Sequence, residues 1–296
     1  MNSLLPTEIF LRNGWAIRSE KRIVIPALAL TCFTGMWLLV HRPQRNPTIY
    51  IGHDTFGLMS RLRVRQGSRA LDLCSGPGTQ GIYMAMRQAS VTAVECNFVA
   101  AQVAIANAQL NNVESSFNMR IGDLYSALCG DEEAFDLISA NPPLLPFPKE
   151  FFYPFVGDGG EDGLSITWRI LAGLPRWLRK TGAAQIIGTC FSDGFLPCPL
   201  DDFRAAAALY RLDLMITMTH HTPFERGSTM FEGLAYTAAI GKQTELTEDI
   251  RVGMERIAHK VGATHVCYFS LSAFHGSGKT TVIDLAKESS SMPWFC

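Results

Sequence analysis

From Ala70 onward, short apolar runs alternate with stretches whose apolar residues recur at helical spacing. Residues 70–73 read as a strand, followed by a glycine-containing loop and a helix through Ala85. Residues 91–94 are the next strand and 97–110 the next helix, with further strands at 119–121 and 135–139. A helix near 164–179, a strand at 184–189, a helix at 202–210 and a strand at 212–219 continue the alternation. Strands alternating with helices predict a doubly wound, mostly parallel α/β sheet covered on both faces.

The two ends break this rhythm. The first ~20 residues read as a short amphipathic helix with Leu4, Leu5, Ile9 and Phe10 on one side. Residues 23–40 carry no charge over 18 positions, the length at which a membrane span enters consideration. Pro26, Thr31, Thr34 and Gly35 interrupt that run, and Phe33-Thr34-Gly35-Met36 reads as a turn, so the expectation is a packed apolar hairpin acting as a lid. Glu8 and Glu20 sit where a signal peptide needs a basic leader, and Ala27-Leu28-Ala29 falls in mid-run. Pro43, Asn46 and Pro47 make a linker, after which Asp54 is expected to cap a helix over 55–63. Near the other end, a helix over 247–260 precedes two strand-like runs, 266–273 and 281–285, with His275-Gly276-Ser277-Gly278 suiting a hairpin turn. The expected organisation is an N-terminal helix and hairpin (1–47), a core domain (48–240) and a helix-plus-hairpin extension (241–296).

Composition narrows the partners. Apolar residues make up 47% of the 296 positions and charged residues 18%, below the ~25% usual in soluble proteins, which predicts a large core. The net charge of −1 comes without a basic stripe, so no nucleic-acid partner is expected. None of the eight cysteines forms a Cys-x-x-Cys pair and no zinc-ligand spacing occurs. They read as small buried residues of a reducing, cytoplasmic protein without metal, and no membrane partner is expected.

The stretch that carries chemistry runs from Asp72 through Leu73-Cys74-Ser75-Gly76-Pro77-Gly78. A strand passing into small residues and then a helix lets backbone approach a ligand, and Gly76 and Gly78 are expected to leave room for it. Glu95 ends the second strand, 23 residues beyond Asp72, where a carboxylate accepts both hydroxyls of a ribose. Asp123 closes the third strand, placed to take an adenine amino group. The fourth strand ends in Asn141-Pro142-Pro143, whose prolines force the chain out of the sheet beside the same crevice. There the Asn141 amide oxygen and a backbone carbonyl can hold an NH₂ group and aim its lone pair.

With these residues the chain resembles class I S-adenosylmethionine-dependent methyltransferases, above all those with an Asn-Pro-Pro motif, the release-factor glutamine N5-methyltransferases and their relatives. The resemblance spans residues 48–240, and Gly159-Gly160-Glu161-Asp162-Gly163-Leu164 is similar to the segment that follows the motif in those enzymes. It implies S-adenosylmethionine at Asp72, Gly76, Gly78, Glu95, Asp123 and Asn141, with the reacting nitrogen near Asn141. Two positions depart from the pattern: Cys74 stands for a loop glycine, and Leu144 for the aromatic residue usual after the prolines. The expected acceptor is therefore a nitrogen of a small molecule or peptide. A second reading is similarity to azetidine-2-carboxylate synthases, in which S-adenosylmethionine is the whole substrate and its α-amine displaces methylthioadenosine. Asn141 would then orient the amine with Tyr50 or Tyr153 as a second partner, under a lid of the N-terminal hairpin and Phe151-Phe152-Tyr153. A third, non-enzymatic reading as a binding module or membrane-attached scaffold rests on residues 23–40 alone.

Three further features are weaker. Gly276-Ser277-Gly278-Lys279-Thr280 imitates a phosphate loop, but Ala273 stands where the first glycine belongs. His220 and His221 follow a strand and are candidates for a base at the crevice mouth, and Arg226 for a carboxylate clamp.

Overall fold

The computed structural model describes residues 7–12, 14–20, 22–25, 28–42, 47–242, 248–286 and 293–294. Leu4, Leu5, Pro26, Ala27, Pro43, Asn46 and Thr247, named above, lie outside them. The first elements are helix α1 (Thr7–Arg12), a short antiparallel pair β1 (Ile17–Ser19) and β2 (Arg22–Val24), and the antiparallel strands β3 (Leu28–Phe33) and β4 (Met36–His41). Helix α2 (His53–Arg61) leads into the alternating region, made of β5 (Arg69–Leu73), α3 (Thr79–Ala85), β6 (Ser90–Glu95), α4 (Phe98–Leu110) and β7 (Phe117–Ile121). A short 3-10 turn (Leu124–Ala127) precedes β8 (Phe135–Ala140), α5 (Ser165–Trp177), β9 (Leu178–Ser192), α6 (Leu200–Tyr210) and β10 (Leu212–Pro223). Helices α7 (Thr229–Lys242) and α8 (Glu248–Lys260) and strands β11 (His265–His275) and β12 (Thr280–Asp284) follow.

The central sheet has the order β12-β10-β11-β9-β8-β5-β6-β7 and is parallel except for β11, which runs against both its neighbours. Interior strands covered on both faces must be apolar on both. Accordingly Leu71, Leu73, Ala93, Val94, Ile138 and Ala140 are all buried. From β5 the chain builds outward to β6 and β7, then returns to place β8 on the other side of β5. Ligand crevices of such sheets lie at this reversal, beyond the strands' carboxyl ends. The loop after β5 and the one after β8 both open there.

The hairpin prediction holds at its turn and fails in its purpose. Thr34 (φ 50°) and Gly35 (φ 80°) form a two-residue turn with both residues left-handed, the geometry that matches strand twist. The strand edge then meets α4 through two asparagines one helical turn apart. Asn107 pairs with both backbone groups of Leu39 (2.7 and 3.2 Å), and Asn111 with both of Trp37 (2.9 and 2.7 Å). The hairpin therefore sheathes α4, and none of its residues lines the large cavity described below. It is not a lid.

Three other expectations need correcting. Strands β11 and β12 do not form an appended hairpin, since β11 is inserted between β9 and β10 while β12 pairs in parallel with β10. The burial of Val266, Cys267, Phe269, Leu271 and Ala273 requires that interior position. The turn between them folds its amides onto the chain's own carboxylate: Asp213 Oδ1 accepts from Ser277, Gly278 and Lys279 N at 2.9, 3.0 and 2.9 Å. The phosphate-loop look-alike is thus a nest already filled. Helix α7 was not anticipated, although Phe231, Leu234, Ala235 and Ala238 carry the spacing of a buried helix face. Finally, the seven described cysteines are unpaired, yet only Cys190 and Cys267 are buried, while Cys32, Cys96 and Cys129 are exposed. No helix among the described residues is long and apolar enough to cross a membrane.

Candidate active site

A cavity of about 970 Å³ opens beyond the carboxyl ends of β5, β6 and β8, at the upper end of the range for ligand pockets. Its floor is the loop after β5. Cys74 adopts φ 54°, a left-handed backbone in which glycine is the unstrained residue. Gly76 (φ 53°) donates its N–H to Glu95 Oε2 at 2.8 Å, and a Cβ there would meet nothing but the cavity. Gly78 (φ 84°) begins α3 and does a different job from the one expected. A Cβ on it would press on Ala104 at 3.0 Å and Phe117 at 3.2 Å, inside the core beneath the loop.

Asp72 also works from below. It is buried and absent from the cavity wall, accepting from Gly81 N at 2.9 Å and from Ser139 Oγ at 2.6 Å. It thereby ties α3 to β8 across the switch point, and burial pushes its carboxyl up to about 7. Asn107 supports the same loop from the other side, donating to Pro77 O at 2.9 Å. No local sequence signal marks Asn107, because its partners are 30 and 68 residues away.

Glu95 lines the cavity, its two oxygens accepting from Gly76 N (2.8 Å) and Asn97 N (2.7 Å). Asp123 lies further along the wall, half-exposed and paired with Arg169 of α5 at 2.6 Å. Arg169, which the sequence reading missed, closes that end of the cavity. Around the loop, Ser75 Oγ, Thr79 Oγ1 and Gln80 Nε2 are buried without a hydrogen-bond partner, although all three residues border the cavity. Buried polar groups without partners are costly unless a ligand satisfies them. Together with the open approach at Gly76 and the carboxylates of Glu95 and Asp123, they suit a bound nucleoside carrying a charged amino-acid tail.

Asn141 stands opposite, at the end of β8. Its Nδ2 donates to Asp54 Oδ2 at 2.9 Å and lies 3.5 Å from Thr55 Oγ1. Asp54 is not the helix cap that was expected, since α2 starts two residues earlier, after Gly52. It is a buried carboxylate that fixes the flip of the Asn141 amide, leaving Oδ1 as the acceptor on the cavity side. Burial raises the Asp54 pKa while the bond from Asn141 opposes the rise. The Tyr50 phenol lies against the same carboxylate. Tyr153 and Tyr268 also line the cavity, and the three phenols are near enough to oppose one another's ionisation. Burial raises all three above the ordinary tyrosine range. Phe151 and Phe152 pack instead against Gly253 and Gly241, so only Tyr153 of that expected lid reaches the cavity.

Other candidates fall away. Arg226 is engaged by Glu248 (2.6 Å) and Glu255 (2.5 Å) on the surface, which leaves no clamp. His221 Nδ1 is 3.0 Å from the buried Ser192 Oγ, and His220 packs edge-on to Tyr268 outside the cavity wall. Among the described residues no group of acidic, histidine and cysteine side chains is arranged to hold a metal ion.

A doubly wound sheet with a glycine loop after its first strand, acidic ends on the next two and Asn-Pro-Pro at the fourth defines a nucleoside-binding protein of the Rossmann-like type. Comparison with known proteins gives the family. Residues 53–193 match the family model described as methyltransferase small domain. A candidate protein N5-glutamine methyltransferase of Methanocaldococcus jannaschii is 33% identical over 158 residues, covering 52% of this chain and 76% of that protein. The ribosomal protein uL3 glutamine methyltransferase of Bordetella pertussis is 34% identical over 40% of this chain and 42% of its own length. The release factor glutamine methyltransferase of Mycolicibacterium smegmatis is 35% identical over 39% of this chain and 44% of its own length, so the chain matches less than half of these two longer relatives. A candidate transferase of Pyrococcus horikoshii shares the fold, with a TM-score of 0.51 and 11% identity over 84% of this chain and 73% of that one. The chain belongs to the class I S-adenosylmethionine-dependent methyltransferases related to the glutamine N5-methyltransferases. Its cofactor is S-adenosylmethionine.

Proposed function

We propose that the chain methylates the side-chain amide nitrogen of a glutamine in a protein, with Asn141 as the residue that orients the acceptor. The observation that carries this is the Asp54–Asn141 bond, which commits Nδ2 to α2 and presents Oδ1 to the cavity. S-adenosylmethionine, when bound, supplies a methyl group already electrophilic on its sulfonium. Asn141 Oδ1 accepts one hydrogen of the incoming NH₂ and turns the nitrogen lone pair toward that carbon, so positioning does most of the work. With the methyl group transferred, the nitrogen would release one proton to solvent water and S-adenosylhomocysteine would be left. In this reading Glu95 holds the ribose, Asp123 the adenine end, and Tyr50 and Tyr153 border the acceptor side.

A protein acceptor is preferred to the small molecule or peptide expected from sequence because the relatives are described as acting on protein glutamines. The hairpin that was to seal the pocket of the intramolecular cyclase lies on α4, which removes that part of its lid. The test is incubation of the purified protein with S-adenosylmethionine, alone and with a release factor or ribosomal protein uL3, followed by mass spectrometry. A methylated glutamine that disappears in Asn141→Ala, with cofactor affinity retained, supports the proposal. Methylthioadenosine released from S-adenosylmethionine alone, above the spontaneous background, overturns it in favour of the cyclase.

A further inference from the structure

The residue after Asn141-Pro142-Pro143 is Leu144, which borders the cavity without offering a flat face. An aromatic ring reaches the same cavity from a distant part of the chain. Trp294 is 5% exposed, lines the cavity and packs in one apolar cluster with Leu144 and Tyr268.

Its seat is built by α2, β10 and β11. Arg61 Nη1 donates to the Trp294 carbonyl at 2.8 Å. The buried Thr219 hydroxyl donates to the Pro293 carbonyl at 2.5 Å. On α2, Gly57 has no side chain where a Cβ would come within 2.7 Å of Trp294 Cβ. The Tyr268 ring meets the indole edge-on, with centroids 5.0 Å apart. The position relative to the chemistry follows from α2 itself. Asp54 holds Asn141 and Gly57 receives Trp294, and residues three apart on a helix share a face with Cβ positions about 5–6 Å apart.

We infer that Trp294, with Tyr268, supplies the aromatic wall of the acceptor slot in place of the ring absent at position 144. Flat groups stack on or against aromatic faces, so the wall suits a planar nitrogen group such as a carboxamide. The inference rests on the reading of the chain as an amide methyltransferase, and it makes the Pro293–Trp294 segment a specificity element rather than surface cover.

The test uses the full chain loaded with S-adenosylhomocysteine and the probe N-acetylglutamine amide, with binding measured by calorimetry. Wild type is expected to bind the probe, Trp294→Ala at least tenfold more weakly, and Trp294→Phe close to wild type. The Kd for S-adenosylhomocysteine is expected to stay within about twofold in all three, a readout that a merely structural role would move. The double variant Trp294→Ala with Leu144→Tyr, which returns a ring to the other wall, is expected to recover part of the loss. Equal probe binding by wild type and Trp294→Ala overturns the inference alone, as does tighter probe binding by Trp294→Ala, which would make the segment a plug. A wild type that binds S-adenosylhomocysteine but not the probe overturns the glutamine reading and this inference with it. Thermal melts identify a variant that fails to fold, in which case Trp294→Leu, which keeps an apolar group in the seat without a ring, decides between the same outcomes.

Discussion

Replacing Asp72 with asparagine separates the charge of this buried side chain from its shape. Its carboxylate receives two hydrogen bonds, from Gly81 N and Ser139 Oγ, and touches no cation. Desolvation therefore outweighs those bonds and lifts the carboxyl to about 7, against about 3.9 in an unfolded chain. The folded state then binds more protons than the unfolded one between those values. Stability falls as pH rises from about 4 to about 7 and levels off above. A difference of about three units corresponds to roughly 4 kcal/mol at pH 8 and roughly 1.5 kcal/mol at pH 5. Asparagine keeps the acceptor for Gly81 and offers Ser139 a donor, so Asp72→Asn removes the penalty with little loss of geometry. Its stability advantage over wild type is expected to grow by roughly 2–3 kcal/mol between pH 5 and pH 8. That is about 5–10 °C in Tm for a chain of this size. Thermal melts of both proteins at half-unit pH steps read it directly. Parallel curves for the two proteins would refute the argument, because they would show that the carboxyl titrates alike in both states.

The two loop glycines are expected to separate binding from folding. Gly78→Ala, with its left-handed backbone and its crowded Cβ, costs about 1–3 kcal/mol of stability by thermal melt. Gly76→Ala instead weakens S-adenosylhomocysteine binding by calorimetry more than it lowers Tm, since its Cβ enters the cavity. Asp54→Ala frees the Asn141 amide to flip and is expected to lower kcat about tenfold to a hundredfold, with the cofactor Kd within about twofold. Asp213→Ala removes the acceptor for three backbone amides, so hydrogen exchange at Ser277, Gly278 and Lys279 accelerates. Those bonds hold the Asp213 carboxyl below its ordinary value, so in wild type the same protection persists above pH 4 and fades as pH falls through that lowered pKa.

What the sequence made legible is what local spacing encodes. The strand, glycine loop and helix from Ala70 to Ala85, the carboxylates at Glu95 and Asp123, and Asn141-Pro142-Pro143 each sit at a strand end, so finding the strands pointed to the candidate site at the cavity. The same reading misjudged roles wherever a third dimension decided them. Asp72 and Gly78 belong to the motif string yet face the core, Asp72 holding the start of α3 through Gly81 and Gly78 lying against Ala104 and Phe117. The hairpin at 28–41 was correctly folded in expectation but assigned to the wrong surface, since its partner amides lie on α4, some 70 residues later.

The acceptor end of the cavity was the least legible part, and the reason is its assembly. Its walls come from the segment before α2, from the loop after β8, from β11 and from Pro293–Trp294. Tyr268 read only as one more apolar residue of a strand, and its exposure to the cavity follows from β11 entering the sheet next to β9. Trp294 gave no signal at all, because a tryptophan in the short run Met292-Pro293-Trp294-Phe295-Cys296 has neither period nor motif. Its place is recorded only in its partners: a glycine at 57, where a helix would ordinarily favour alanine by roughly 1 kcal/mol, and a buried threonine at 219. Gly57 costs α2 that propensity with no turn or positive φ to justify it. The compensation is the indole that fills the space, which places one face of α2 in charge of both Asn141 and the wall beside it.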